Sequence, residues 1–475
     1  MFSIAPTLSA ILACLIGLDA AVTGSGPPLS VWALAAFAVV PFGEISLLEA
    51  KRRVRRKKGD TGSLWFAILG VLPVAGFAAA MLLFGLPQVT FILGIEDWVL
   101  LDEMVLLAPY PAAAAIGRIY RHRRAAVFDP LRTWKRCRAE IILGFRGEIA
   151  LLVPFCLFIL AGDLIALDED IIHAFQSRPA LLYSYFLACL LMLATFFPLL
   201  LKLLWRLKPI SDLYPGEAAI AAMTEGLNLR VRTIHFWNTG GLMVNAAILG
   251  FLPPFRYILI TDAMLDRFTR KEIRAVIAHE VGHGRKKHIL FFVFLSLAFA
   301  AFLAFGDSRL SRFDFYRDDL MIAAAFYLPA ILIWIWFLFG FLSRRFEMEA
   351  DVFAVRTLDN PALFIHTLDR LGRMNAKARR RGNWRHFSID RRIALLRAFF
   401  PVAALPVAAD PGSDTDSDTS SSNHTAPRRY DDDRPGEQQG SPALQQFEKR
   451  QRVLKIGALA CSLVFFALFA ADLIF

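Results

Sequence analysis

Long apolar runs recur along this 475-residue chain and constrain its fold more than any other feature. A helix needs about 20 mainly apolar residues to cross a bilayer. Nine runs approach that length, at residues 4–24, 31–50, 64–86, 98–117, 149–166, 180–204, 289–306, 320–342 and 454–475. Hydrophobic residues make up 56% of the chain, 42 Phe among them, and the mean hydropathy is +0.48, too apolar for a soluble protein of this length. The expected fold class is therefore a predominantly α-helical multi-pass membrane protein. Asp102 and Glu103 interrupt the fourth run, which reads as a span or alternatively as a re-entrant or water-facing segment. The first run lacks the basic n-region of a signal peptide and reads as a retained helix.

The net charge of +11 could suggest a nucleic-acid partner, but Lys and Arg cluster between the apolar runs instead of lining one soluble face. Loop charge sets orientation, because loops on the cytoplasmic side concentrate basic residues near helix ends. Lys51 through Lys58 is almost all basic, and 118–146 carries Arg121, Arg123, Arg124, Lys135, Arg136 and Arg138. Glu96 and Asp97 mark the 87–97 loop as external, and Asp163, Asp168, Glu169 and Asp170 do the same for 163–179. Alternation then places 205–288 and 343–452 in the cytoplasm. A bacterial inner membrane with the chemistry on its cytoplasmic side is the expected location, with the bilayer as partner and no nucleic acid. The five cysteines show no paired spacing, so neither a disulfide framework nor a cysteine metal site is expected.

Four regions follow. Residues 1–204 form an N-terminal membrane region of about six helices. Residues 205–403 carry a small cytoplasmic α/β domain interrupted by a membrane hairpin, 289–342. A disordered polar linker, 404–452, leads to a C-terminal membrane helix, 453–475. Within the α/β domain, Val231–Trp237, Leu242–Leu249 and Tyr257–Ile260 read as short strands. Thr269 with Glu272 forms a capping box that starts a helix running through His288.

That helix contains His279-Glu280-Val281-Gly282-His283. Two His four residues apart share a helix face, so both imidazoles can reach one Zn²⁺. Glu280 projects beside them, where its carboxylate can take a proton from the attacking water. A catalytic zinc needs a third protein ligand. Beyond the eighth run comes Ser-Arg-Arg-Phe-Glu-Met-Glu-Ala-Asp, residues 343–351, in which Glu347 and Asp351 stand four apart on one face. One carboxylate there suits the metal and the other suits orienting a ligating imidazole. Without the HEVGH motif, Glu347, Glu349 and Asp351 read as groups that solvate a helix beside Arg344 and Arg345.

HEVGH followed after a membrane hairpin by E-x-x-A-D resembles the M48 family of membrane zinc proteases, which includes Ste24-type CAAX proteases and HtpX heat-shock proteases. Val244-Asn245-Ala246 looks like the family's edge segment, and Tyr257 to Asp262 like its strand leading into the catalytic helices. His386 to Arg392 looks like its H-P-x-x-x-x-R segment, with Phe387 in place of the usual Pro. The match spans about 230 to 396. The resemblance implies a gluzincin-like domain with one Zn²⁺ per chain, ligated by His279, His283 and Glu347. It also implies Glu280 as general base and Asp351 as the residue orienting a ligand. Asn245 would line an edge strand that holds an extended substrate. His386 and Arg392 would bind substrate or stabilise the oxyanion.

The function expected is that of a zinc-dependent endopeptidase acting on membrane-associated or cytoplasmic peptide substrates. Two other readings compete, a sensor-type protease cleaving one regulator and a non-catalytic pseudoprotease scaffold. Retention of a base beside three ligands argues against the scaffold. His288, five residues past His283, reads as a headgroup anchor with Lys286 and Lys287. His122, His173, His235 and His366 have no partner spacing and read as ordinary surface or core residues. Asn423 heads a glycosylation-like triplet on the expected cytoplasmic side, where it has no use.

Overall fold

A computed structural model describes residues 76–110 apart from 96, 97 and 109, and residues 134–210, 233–317, 320–374, 385–401 and 441–474. Scattered positions at 13–30 and at 379, 380 and 382 are also described. The second apolar run, most of the first and third, and the polar stretch 404–440 lie outside the described residues. The chain divides into two compact units, residues 1–176 with 203–205, and residues 177–202 with 206–475.

In the first unit a short helix, α1 (Leu101–Leu107), and a long one, α2 (Trp134–Ala166), are joined by a hydrogen bond from the Leu100 N–H to Asp163 Oδ2 at 3.1 Å. Phe77, Met81, Leu106 and Leu107 pack into its core. The fourth apolar run, read as a possible span, is described at 98–108 and Tyr110, where it forms the helix Leu101–Leu107.

The second unit begins with α3 (Pro179–Leu204) and a four-stranded sheet. The strands are β1 (Lys208–Pro209), β2 (Thr233–Trp237), β3 (Ala246–Leu249) and β4 (Tyr257–Thr261), in the order β1-β2-β4-β3. β2 and β4 run parallel, and the two outer pairings are antiparallel. Tyr-Ile-Leu-Ile-Thr in β4 is buried throughout, as a central strand covered on both faces requires. β3 starts at Ala246 and not at Leu242, because the loop before it is held elsewhere. Asp262 accepts from the Gly241 N–H at 2.7 Å and the Thr239 N–H at 3.2 Å, which fixes the turn at Asn238–Gly241.

Four helices follow on the sheet and lead to the membrane: α4 (Asp262–Arg267), α5 (Arg270–Arg285), α6 (His288–Leu310) and α7 (Leu320–Ile333). The capping box at the start of α5 is formed. Thr269 donates its N–H to Glu272 Oε2 at 2.8 Å while its hydroxyl accepts from the Glu272 N–H at 3.4 Å, a pairing that stabilises a helix start by about 1 kcal/mol. The expected helix through His288 stops at Arg285, and Lys287 takes a left-handed conformation (φ 57°) before α6 begins at His288. α7 passes through π-helical turns at 334–339 into α8 (Gly340–Leu358). Phe299 stacks on Trp334 with ring centroids 5.0 Å apart, and Phe292 stacks on Phe339 at 4.2 Å, which holds α6 against the π-helical turns. α9 (Pro361–Met374) and α10 (Ile389–Phe399) complete the core around α5 and α8.

The last helix, α11, spans Pro442–Ile474. Its start corrects the linker boundary, since 442–452 is helical and docks on the sheet-bearing core. Leu444 is fully buried there, Phe447 lies against Phe399 at 5.3 Å, and Glu448 pairs with Arg356 at 2.7 Å. Polar composition disguised a segment whose two large apolar residues, Leu444 and Phe447, pack on the core. Among the described residues, four helices are long and apolar enough to cross a membrane: Arg138–Ile165, Leu181–Leu204, His288–Leu310 and Pro442–Ala471.

Candidate metal centre

Helices α5 and α8 cross closely, and Gly282 is the reason they can. A Cβ at Gly282 would lie 3.1 Å from the Ala350 Cα and 3.1 Å from the Phe353 ring, so any side chain there would push α8 away. Glu347 on α8 is thereby brought against the histidines of α5. The Nε2 atoms of His279 and His283 are 3.3 Å apart, with Glu347 oxygens 3.8 Å from the first and 3.7 Å from the second. One donor atom from each of the three residues lies within 4.8 Å of the others. Two ligands at zinc–nitrogen distance on a tetrahedral ion stand about 3.3 Å apart. The donor set and its spacing therefore fit a zinc ion.

The groups behind these donors are buried and specifically paired. His279 Nδ1 lies 2.8 Å from Asp351 Oδ1, and Asp351 is fully buried. Arg392 on α10 donates Nε to Asp351 Oδ2 at 2.8 Å and Nη2 to Oδ1, and its Nη1 is 3.5 Å from Glu347. His386 Nδ1 stands 3.1 Å from Glu347 Oε1. α10 owes its start to Ser388, whose hydroxyl accepts from the Arg391 N–H, and this aims Arg392 inward. The sequence motifs thus converge, with His386 and Arg392 gathered on the carboxylates Glu347 and Asp351.

Charge states follow from this packing. Burial alone would raise the Glu347 carboxyl, but His386, Arg392 and His283 outweigh it and hold its pKa well below the ordinary value. Asp351 is likewise held low against burial, chiefly by Arg392. Burial drives His283 well below the usual imidazole range, favouring the neutral ring that a metal needs. Burial would lower His279 too, but the Asp351 contact more than offsets it and raises the pKa. Glu280 is pushed up to about 7, mainly by burial and secondarily by Glu347.

Glu280 is not one of the three clustered donors. Its Oε2 accepts from the Ile248 N–H of β3 at 3.0 Å, fastening the carboxylate to the outer strand of the sheet among the described residues. Asn245 precedes that strand with an exposed side chain. Its N–H donates to Thr261 Oγ1 at 3.0 Å and its carbonyl accepts from the Thr261 N–H at 3.1 Å, so its backbone is committed to β4.

His288 was missed as a site residue, and its reading as a headgroup anchor is corrected. It is buried, with Nδ1 3.0 Å from His283 Nδ1 and Nε2 3.1 Å from Glu349 Oε2. The left-handed Lys287 breaks the helix and swings His288 back toward His283.

Comparison with known proteins agrees with this geometry. The profile of peptidase family M48 matches residues 238–398, which contain every donor described above. A CAAX prenyl protease 1 homolog of Arabidopsis thaliana is 31% identical over 123 residues, 24% of this chain and 29% of that protein. A protease HtpX homolog of Albidiferax ferrireducens is 30% identical over 147 residues, 27% of this chain and 49% of that protein. The chain thus spans under half the length of these curated relatives. The crystal structure of S. mikatae Ste24p superposes with a TM-score of 0.43 at 14% identity, covering 78% of this chain and 100% of that one. Residues 238–398, which hold both the edge strand and the His279–His283–Glu347 cluster, match the model of peptidase family M48.

Proposed function

We propose that the protein is a membrane-embedded zinc-dependent endopeptidase. The observation that carries this reading is the convergence of His279, His283 and Glu347 beside a Glu280 carboxylate fastened to a sheet edge. His279, His283 and Glu347 would hold the ion. Zinc, when bound, would supply Lewis acidity that activates a water and polarises the scissile carbonyl. Glu280 takes the proton of the attacking water and delivers it to the leaving amine, a task suited to a carboxyl held near neutrality.

The edge strand supplies substrate positioning. β3 pairs with β4 through Asn245, Ala247 and Leu249, opposite Thr261, Leu259 and Tyr257. Antiparallel alternation then turns the backbone groups of Ala246 and Ile248 outward, and Glu280 takes the Ile248 N–H. Ala246 is left to pair with an extended peptide, with Asn245 flanking it. Asp351 and Arg392 act as positioning groups behind the ligands. His386, the most open of the set at 31% side-chain exposure, steadies Glu347 through Nδ1. With Nδ1–H given to Glu347, its Nε2 can donate to a developing oxyanion only as the imidazolium.

Helix α6, long and apolar enough to cross a membrane, begins at His288 beside His283, which favours membrane-associated substrates. Stripping the purified protein with a chelator is expected to abolish casein cleavage, and added zinc to restore it; cleavage that survives complete metal removal would refute the reading. The basic loops support a cytoplasmic orientation for the site. Impermeant thiol reagents on intact cells should label Asp170→Cys and spare Arg55→Cys, and the reverse pattern would invert the orientation.

A further inference from the structure

The two histidines of the cluster are backed differently. His279 has a carboxylate behind it, Asp351, whereas His283 has a second imidazole, and behind that a chain leading to the last helix. His288 Nε2 lies 3.1 Å from Glu349 Oε2, and Lys455 of α11 reaches Glu349 at 2.8 Å. Gln451, one turn earlier on α11, donates to the Arg345 carbonyl at 3.2 Å, fixing the register of α11 on α8. His288 itself stacks on Phe346 with ring centroids 4.2 Å apart and planes 1° from parallel.

Hydrogen-bond polarity along this chain has one consistent solution. A carboxylate can only accept, so the His288 Nε2–H donates to Glu349. The other nitrogen of a neutral imidazole then carries a lone pair, and His288 Nδ1 accepts from the His283 Nδ1–H. This leaves the lone pair of His283 on Nε2, the atom that faces His279 and Glu347.

We propose that His288 is a positioning residue that holds His283 in its metal-binding tautomer and orientation, and that Lys455 anchors this relay to the C-terminal helix through Glu349. The last helix, which follows a long polar stretch, thereby becomes part of the metal site's support. The inference rests on the zinc reading above. It differs from a packing role in one respect, since Phe in place of His288 would keep the stack on Phe346 and remove the hydrogen bonds to His283 and Glu349.

The test is zinc affinity of the full-length protein in detergent micelles, measured by chelator competition, with the thermal midpoint of the metal-free protein as a fold check. His288→Phe is expected to weaken zinc binding about 10–100-fold, the scale for losing an outer-shell partner of a ligating histidine, with little change in midpoint. His288→Gln, whose amide oxygen can accept from His283, should recover part of that loss. Lys455→Met should weaken binding in the same direction by less, and it serves as the deciding variant if His288→Phe does not fold. Zinc affinities equal to wild type in His288→Phe, or in Lys455→Met where that variant decides, would overturn the proposal while leaving the zinc reading intact. A wild-type protein that retains no zinc would instead remove the zinc reading itself.

Discussion

Glu280→Gln is expected to lower the rate of peptide hydrolysis by about 10²–10⁴, the usual contribution of a positioned general base, with zinc content unchanged. The separation follows from geometry. Glu280 is absent from the three-donor cluster, so its carboxylate is not needed to hold the ion. Its other contact survives the change, because the glutamine carbonyl can still accept from the Ile248 N–H now bound at 3.0 Å. The edge strand stays fastened and only the proton acceptor is lost. Single-turnover cleavage measured beside zinc content checks this. Near-normal hydrolysis by the variant would remove Glu280 from the mechanism, whereas loss of zinc would make it a ligand.

Glu347→Ala should have the larger effect on the metal. It removes a donor from the cluster itself, so zinc affinity should fall by more than the roughly 10–100-fold that an outer-shell loss costs, and activity with it. The fold should survive. Arg392 keeps its two-pronged pairing with Asp351, so the buried guanidinium is not left without a counter-charge. Asp351→Ala makes the contrast. Removing it strands Arg392 in the interior, for which breaking a buried pair costs about 3–5 kcal/mol, and destabilisation there should precede any clean metal defect. Zinc titration and chemical denaturation on both variants separate the two outcomes. Full zinc affinity in Glu347→Ala would exclude Glu347 as a ligand.

Local chemistry made much of this site legible in the sequence. Thr269 and Glu272 announce the start of α5, the spacing of His279 and His283 sets a shared face, and 343–351 carries two carboxylates one turn apart. What stayed hidden depends on tertiary packing. On an unbroken helix His288 would point about 140° away from His283, so spacing alone ruled it out. The left-handed Lys287 cancels that arithmetic, and a lysine gives no advance sign of φ 57°. The closeness of α5 and α8 rests on Gly282, which a helix pattern records only as a weak position. Residues 442–452 read as linker because their helix is stabilised by docking against Phe399 and Arg356 and not by an apolar stripe of its own. The destination of Arg392 on Asp351 and Glu347 was not readable, since it needs α10 to cross α8.

Zinc K-edge X-ray absorption on the purified full-length protein tests the central claim most directly. The account predicts a first shell of nitrogen and oxygen at about 2.0–2.1 Å, with imidazole scattering and no sulfur, and loss of that signal in a His279→Ala/His283→Ala double variant. Sulfur in the first shell, or an unchanged spectrum in the double variant, would contradict it.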